Sequence, residues 1–413
     1  MRVCFVSRRY FPAISGMSVY AQNLLRELVG AGHDVTMISQ YRSDAFGTAV
    51  YGGGPPPPVP GVRVIGLEQT GEQGGEGRPP GDFESDIDRM VDTIVAEHAR
   101  APFDILHAQY GYPTGWAVLL ASRRIGVPNL VSIQGGDGHW VGSCCETHRL
   151  AMTRVLDHAG AALIGGASFV EEVSGRLGTD PSRFTIVPGA VDTTRFRPSD
   201  ASRPAGAPLR FLYHGRVDRR KGALDTLDAL KMLADRGVAF GAVMSGIGPD
   251  VEPCRERAAA LALGPDRVMF SGYAEYDTVP DLYREADVFV SPTHAEGFSN
   301  TILEAMASRL AIVSCHAVGV VDCLTDEADA LLTEPGDVPA IADALTRLVQ
   351  DEALRRRLAD AALAECRRTY SWQAVGRRIM DVYERLAGTT PDLAFSPDLP
   401  MTPCRFRAEP HLL

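Results

Sequence analysis

The segment Ala295-Glu296-Gly297-Phe298-Ser299-Asn300-Thr301-Ile302-Leu303-Glu304-Ala305-Met306-Ala307 places two carboxylates, Glu296 and Glu304, eight positions apart across a loop-to-helix junction. Asn300 can cap that helix, whose first backbone N–H groups then face outward and suit a phosphate. Glu304 falls a turn inside, where a carboxylate can accept from two vicinal hydroxyls such as those of a ribose. Gly297 follows Glu296 and, having no side chain, lets a ligand approach the backbone. The same residues also fit an ordinary capped helix with solvated glutamates.

A second candidate is Tyr213-His214-Gly215-Arg216-Val217-Asp218-Arg219-Arg220-Lys221-Gly222, directly after an apolar strand pattern. Gly215 permits a tight turn, and Arg216 and Lys221 can converge on a diphosphate at the C-terminal edge of a sheet. The plain alternative is a solvated basic turn, and Arg219 and Arg220 are expected to be solvated. Lys221 stands out because Lys221 and Lys231 are the only lysines in a chain with 41 basic residues. So strong an arginine bias, with abundant Ala, Gly and Pro, is that of a GC-rich bacterial genome. Gly246-Ile247-Gly248 taken alone is a weak nucleotide signal.

These residues need strand ends to hold them, and the pattern supplies two alternating series. The first runs through strands at Val3–Ser7, Val35–Ser39, Ile105–Ala108, Leu130–Ile133 and Ile186–Val187. Helices are expected over Ser18–Val29, around Ile87–Val95, and from a Ser168/Glu171 capping box to Gly178. Residues 52–61 and 70–82, rich in Pro and Gly, read as exposed loops. A composition break at 198–208 separates a second series: strands at Phe211–His214, Ala242–Ser245, Val288–Ser291 and Ala311–Ser314, with helices after Ala223 and from Asn300. The alternation predicts an α/β chain of two Rossmann-like, doubly wound parallel-sheet domains, 1–198 and 209–370. An amphipathic helix over 371–387 is expected to cross back and complete the first domain, and the tail 388–413 to be loosely ordered.

The bulk numbers agree with this division. A chain of 413 residues is too long for one ordinary core and suits two. Apolar content of 45% with 23% charged residues is that of a folded globular protein. A net charge of −11 argues against nucleic acid or anionic lipid as partner. No apolar run approaches a membrane span, so no stable membrane insertion is expected. The eight cysteines contain no CxxC pair, which points to a reducing cytoplasm.

Taken together, Gly215-Arg216…Lys221-Gly222, then Gly246-Ile247-Gly248-Pro249, then Glu296-Gly297-Phe298…Glu304 resemble glycosyltransferase family 4, whose two domains face each other across a cleft in the GT-B arrangement. The resemblance spans roughly residues 1–388. It implies a retaining transfer of a hexose-type sugar from a nucleoside-diphosphate sugar, UDP first and GDP next, to a small-molecule or glycan acceptor. Arg216, Lys221 and Glu296 are the implied catalytic residues. The donor would also be bound by Gly16, Gly215, Gly248, Gly297, Phe298, Ser299, Asn300, Thr301 and Glu304. Gly16 stands in Ser15-Gly16, where the family carries Gly-Gly. Gln134, Asp137 and His139 in Val131–Gly138 and the residue after it match the family's acceptor-facing stretch, with Gln134 where a histidine is common. A neutral amide is no general base, so any such role passes to Asp137 or His139. Gly189-Ala190 replaces an Asn-Gly pair in the interdomain element. Closure of the two domains over the donor is also implied.

Other readings compete with this one. His139, Cys144, Cys145 and His148 lie within ten residues and have zinc-ligand chemistry, but adjacent cysteines suit one tetrahedral site poorly. No metal and no cofactor is therefore expected. Asp86-Ile87-Asp88 imitates a metal-binding DxD, yet both aspartates are expected on the solvated face of their helix. A GT-B-fold sugar epimerase and a non-catalytic nucleotide- or glycan-binding protein are the functional rivals.

Overall fold

The computed structural model describes residues 1–43, 48, 52–69, 83–200, 204 and 206–404. The chain divides into two compact units, Met1–Pro188 with Val375–Leu413, and Gly189–Ala374.

In the first unit the strands β1 (Arg2–Ser7), β2 (Asp34–Tyr41), β3 (Val62–Glu68), β4 (Ile105–Gln109), β5 (Asn129–Ser132), β6 (Ala161–Ile164) and β7 (Phe184–Ile186) form one sheet, ordered β3-β2-β1-β4-β5-β6-β7. Every pairing in it is parallel. β1, β4 and β5 are almost wholly buried, as strands covered on both faces must be. The crossovers carry α1 (Gly16–Gly30), α2 (Phe83–Arg100), α3 (Trp116–Ile125), α4 (Gly135–Trp140), α5 (Glu146–His158) and α6 (Ala167–Leu177).

The second unit repeats the design with β8 (Leu209–His214), β9 (Phe240–Ser245), β10 (Val268–Gly272), β11 (Val288–Ser291), β12 (Ala311–Cys315) and β13 (Leu331–Thr333), ordered β10-β9-β8-β11-β12-β13 and again parallel. Strand order reverses direction between β8 and β11, where a doubly wound sheet opens its ligand crevice. Its helices are α7 (Ala223–Asp235), α8 (Val251–Ala260), α9 (Val279–Arg284), α10 (Asn300–Ala307), α11 (Val338–Gln350) and α12 (Glu352–Glu365). Period-two alternation sorts the strand residues between two cores. Phe211, Tyr213, Val288, Val290, Ala311 and Val313 face one core, and Leu212, Phe289 and Ile312 the other. The last helix, α13 (Trp372–Leu386), packs within the first unit from Val375 onward, where Tyr383 Oη lies 2.6 Å from the buried His107 Nδ1.

Three local expectations need correction. The Ser168/Glu171 box does not open α6: Gly166 is its N-cap and no side chain caps it. Asp86 is buried and ion-paired with Arg89, so only Asp88 lies on the exposed face of α2. The tail is not loose through residue 404. Phe395 is buried against Trp116, with ring centroids 5.9 Å apart, Arg123 donates to its carbonyl, and Thr402 N–H donates to Thr147 Oγ1 at 3.0 Å. Exposed apolar side chains find partners wherever a neighbouring helix leaves a groove, and helical periodicity cannot reveal that. The 70–82 stretch and residues 405–413 lie outside the described residues.

Candidate functional site

The loops at the C-terminal ends of β8, β9 and β10 are laced together by backbone. Gly215 N–H donates to Ser245 O (3.0 Å), Val217 N–H to Ile247 O (3.0 Å) and Gly246 N–H to Gly272 O (2.8 Å). The approach is close enough to dictate residue type. A Cβ on Gly246 would sit 1.7 Å from Gly215 O, and one on Gly248 2.2 Å from Val217 O. The Gly-x-Gly spacing is therefore first a packing requirement between two loops, whatever ligand they meet.

From this platform the first motif reaches the second. Lys221 Nζ lies 2.8 Å from Glu296 Oε2 and donates to Ala295 O at 2.9 Å. Both side chains are half-buried, so the pair is held in place yet keeps contact with solvent. His294 N–H donates to Arg220 O at 2.8 Å, tying the same two loops by backbone. Gly215 faces Thr301, whose Cγ2 would be 3.7 Å from a Cβ added there. Arg216 is exposed, with its Nε 3.3 Å from Asp218 Oδ2. The structure thus brings Lys221 to Glu296 and Gly215 to Thr301, and leaves Arg216 exposed.

Arg219 and Arg220 are exposed, but they are not simply solvated. Arg219 pairs with Asp250 (2.9 Å), and Arg220 with Asp218 (2.8 Å). The Arg220 hydrogen bond, strongest among several, pushes the Asp218 carboxyl down to about 2. These pairs stiffen the turn that presents Lys221, a role that residue spacing did not signal.

The helix α10 begins one residue earlier in its cap than expected. Ser299, not Asn300, is the N-cap, and its Oγ accepts from Ile302 N–H. Ser299 is buried, while Asn300 and Thr301 in the first turn are half-buried. Phe298 packs its ring over Gly189, where a Cβ would lie 2.6 Å from Phe298 Cδ1. The glycine at 189 thus makes room for Phe298.

Glu304 is half-buried on the inner face of α10 and accepts a 2.7 Å hydrogen bond from Tyr283 Oη. Burial pushes its pKa up to about 7, against the smaller downward pull of that hydrogen bond. Tyr283 is fully buried on α9 and was not foreseen, because nothing local to Glu304 in sequence points to a residue on another helix.

The remaining candidates belong to the first unit. Gly16 is the exposed first residue of α1, and Ser15 Oγ before it accepts from Ser18 N–H at 3.3 Å. Gln134 is half-buried at the N-cap of α4. Asp137 is fully buried, and its oxygens already accept from Gln134 N–H (2.7 Å) and Gly111 N–H (2.6 Å). Burial raises its pKa to about 7 even against those hydrogen bonds. That arrangement does the work of a cap that welds α4 to the loop after β4. His139 Nδ1 lies 2.6 Å from Glu172 Oε1, and its ring packs at a tilt against Phe169, with centroids 4.8 Å apart. Among the described residues its Nε2 has no hydrogen-bond partner. Glu172, one helix away, orients this imidazole as a carboxylate orients a general base.

Metal-ligating side chains gather elsewhere, at Cys144, Cys145, His148 and Cys404. No helix among the described residues is long and apolar enough to cross a membrane.

The comparisons with known proteins agree with this geometry. Residues 15–190 match the "Glycosyl transferase 4-like domain" model and residues 198–364 the "Glycosyl transferases group 1" model. The chain is 26% identical to glycogen synthase of Mycobacterium tuberculosis, over 93% of this chain and 94% of that protein. It is 28% identical to D-inositol 3-phosphate glycosyltransferase of Xylanimonas cellulosilytica, over 91% of this chain and 93% of the relative. Among solved structures, HepE from Anabaena in complex with UDP superposes with a TM-score of 0.72 at 16% identity, covering 94% of this chain and 100% of the other. The chain belongs to the family-4-type glycosyltransferases, and its two parallel-sheet domains have the GT-B fold.

Proposed function

We propose that this glycosyltransferase moves a hexose-type sugar from a nucleoside-diphosphate sugar to a hydroxyl of a small-molecule or glycan acceptor, with retention at the anomeric carbon. UDP is the favoured nucleotide, the one named for the HepE complex, and GDP is next. The observation that carries this reading is the Lys221–Glu296 pair, set 2.8 Å apart at the C-terminal ends of the second sheet's strands. A carboxylate beside the lysine holds the ammonium where a diphosphate can displace or share it.

In this reading Glu304 accepts from the ribose hydroxyls. Arg216, Lys221 and the N–H groups at Asn300 and Thr301 take up the charge that builds on the leaving diphosphate. Glu296 and the backbone of Gly297–Ser299, flanked by Phe298, hold the donor sugar. Gly215, where an added Cβ would meet only Thr301 Cγ2 at 3.7 Å, leaves room for a phosphate oxygen. Gln134, Asp137 and His139 belong to the acceptor side in this reading. No carboxylate stands out as a covalent nucleophile. The acceptor hydroxyl attacks on the face that the diphosphate leaves, and the departing phosphate takes its proton. In this reading the charge that builds on the diphosphate is met by protein cations and backbone N–H groups, with no metal step.

The test is a thermal-shift panel of UDP, GDP, ADP and TDP on wild type and Lys221→Ala. It is followed by NMR of the product's anomeric configuration. A nucleotide at 100 times its Kd should add about 2.7 kcal/mol of stability. One nucleotide shifting wild type but not the variant supports the donor site, and no shift with any of them overturns it. An inverted product overturns retention. Donor turnover to a free epimerised sugar, with no acceptor-dependent product, would transfer the reading to epimerase chemistry.

A further inference from the structure

Four side chains with soft-metal chemistry converge at the start of α5. Cys145 is the N-cap of that helix, and its Sγ accepts from His148 N–H at 3.5 Å. His148 is fully buried in the first turn, and its Nδ1 lies 3.2 Å from Cys144 Sγ. The fourth member comes from the far end of the chain: Cys404 Sγ lies 3.5 Å from the same Nδ1. All four ligand atoms fall within 4.8 Å of one another. His139, grouped with these residues by sequence, is absent from the cluster because Glu172 holds its Nδ1.

The spacing matches one kind of occupant. With Zn–S of about 2.3 Å and Zn–N of about 2.0–2.1 Å, a tetrahedron places sulfur and nitrogen roughly 3.5 Å apart and two sulfurs roughly 3.8 Å apart. The two sulfur–nitrogen distances, 3.2 and 3.5 Å, fall within a few tenths of an ångström of the lower of these values. Three thiols and one imidazole form the ligand set of a closed structural zinc site, with no position left open for a substrate. The helix N-terminus beneath Cys145 favours thiolate over thiol.

Adjacent cysteines suit such a site poorly when the backbone runs straight. Here the chain turns at the cap, with Cys145 extended (φ −166°, ψ 163°) just before the helical residues, and both sulfurs reach the imidazole's side.

We propose that Cys144, Cys145, His148 and Cys404 bind one Zn²⁺ ion that fastens the C-terminal tail to α5. On binding, three thiol protons leave to solvent, His148 coordinates through Nδ1 as the neutral imidazole, and the site carries a net charge of −1. The tail is already aligned for this clip. Thr147 Oγ1 donates to Pro400 O at 2.5 Å, Arg154 donates to Asp398 O at 2.6 Å, and His158 Nδ1 lies 2.9 Å from Asp392 Oδ2. The metal stabilises by closing a loop that joins positions 145 and 404, a long-range tie that reduces the entropy of the unfolded chain. The expectation of a metal-free chain is thereby revised for this site alone.

The experiment uses the full chain purified under reducing conditions without an affinity tag that binds metal. Elemental analysis should find about one zinc per chain, and Co²⁺ replacing it should give the intense absorption of tetrahedral thiolate coordination. Cys404→Ser removes a tail ligand without touching a buried core. It should lower zinc affinity by at least about 100-fold and abolish the fall in Tm that a strong chelator causes in wild type. Nucleotide-induced stabilisation should persist in Cys404→Ser, which separates this site from the donor site. A wild-type chain that binds neither Zn²⁺ nor Co²⁺ at micromolar concentration overturns the proposal. So does peptide mapping of the chain purified without reductant that finds Cys404 joined by a disulfide to Cys144 or Cys145 and no bound metal.

Discussion

Replacing Glu304 by glutamine separates two effects of one carboxyl. Burial raises the Glu304 pKa from its ordinary 4.5 to about 7, a difference of 7 − 4.5, or about 2.5 units. Below pH 4.5 the group is protonated in both the folded and unfolded chain and contributes nothing. Between 4.5 and about 7 the unfolded chain gives up a proton that the folded chain keeps, so stability falls as pH rises through that window and then levels off. At about 1.4 kcal/mol per unit, the loss reaches a ceiling of roughly 3 kcal/mol at pH 8, reduced by the exposure Glu304 retains. Glutamine is neutral at every pH, is nearly the same shape, and can still accept from Tyr283. Glu304→Gln should therefore unfold at higher urea than wild type at pH 8 and match it at pH 4.5. Nucleotide affinity should move the other way. A carboxylate accepting from a ribose is worth about 1.5–3 kcal/mol per charged hydrogen bond, so the variant should bind UDP roughly 10- to 100-fold more weakly at pH 8 by calorimetry. Wild-type affinity should also gain more than the variant's between pH 6 and 8, as Glu304 loses its proton. Comparing the two chains cancels the nucleotide's own titration. A variant that binds UDP as tightly as wild type at pH 8, or one destabilised equally at both pH values, would refute the reasoning.

Lys221→Ala should lower kcat/KM for nucleoside-diphosphate release by on the order of 10²–10³, about 3–4 kcal/mol, as one preorganised donor is lost. Its urea midpoint should move little, because a half-exposed pair contributes about 1 kcal/mol or less. Gly246→Ala forces a Cβ to 1.7 Å from Gly215 O at a φ of +137°, so unfolding in urea should show a loss of more than about 2 kcal/mol. Asp137→Asn turns an amide N–H₂ toward a backbone N–H that now has a carboxylate acceptor. It should cost about 1–3 kcal/mol in the same assay, whereas a large fall in kcat at unchanged stability would assign Asp137 a direct part in the reaction.

Much of this protein was legible in one dimension. Strand and helix alternate in the hydropathy pattern, and the motif glycines mark turns at strand ends, because local sterics and burial act over a few residues. Type and spacing single out Arg216, Lys221, Glu296 and Glu304 as candidates, and the family resemblance supplies their implied roles. The tertiary structure decided what those side chains touch. Tyr283 meets Glu304 across 21 positions, Glu172 meets His139 across 33, and Cys404 joins His148 across 256. The local cap was decided by the backbone too: Ser299 takes the place expected of Asn300, since both residue types cap well and only backbone dihedrals choose between them. Gly246 and Gly248 looked like ligand-binding glycines and are required first by the neighbouring loop. Propensity and periodicity are properties of adjacent residues, whereas ion pairs, shifted pKa values and metal clusters arise where the fold closes distance between segments that no local rule connects.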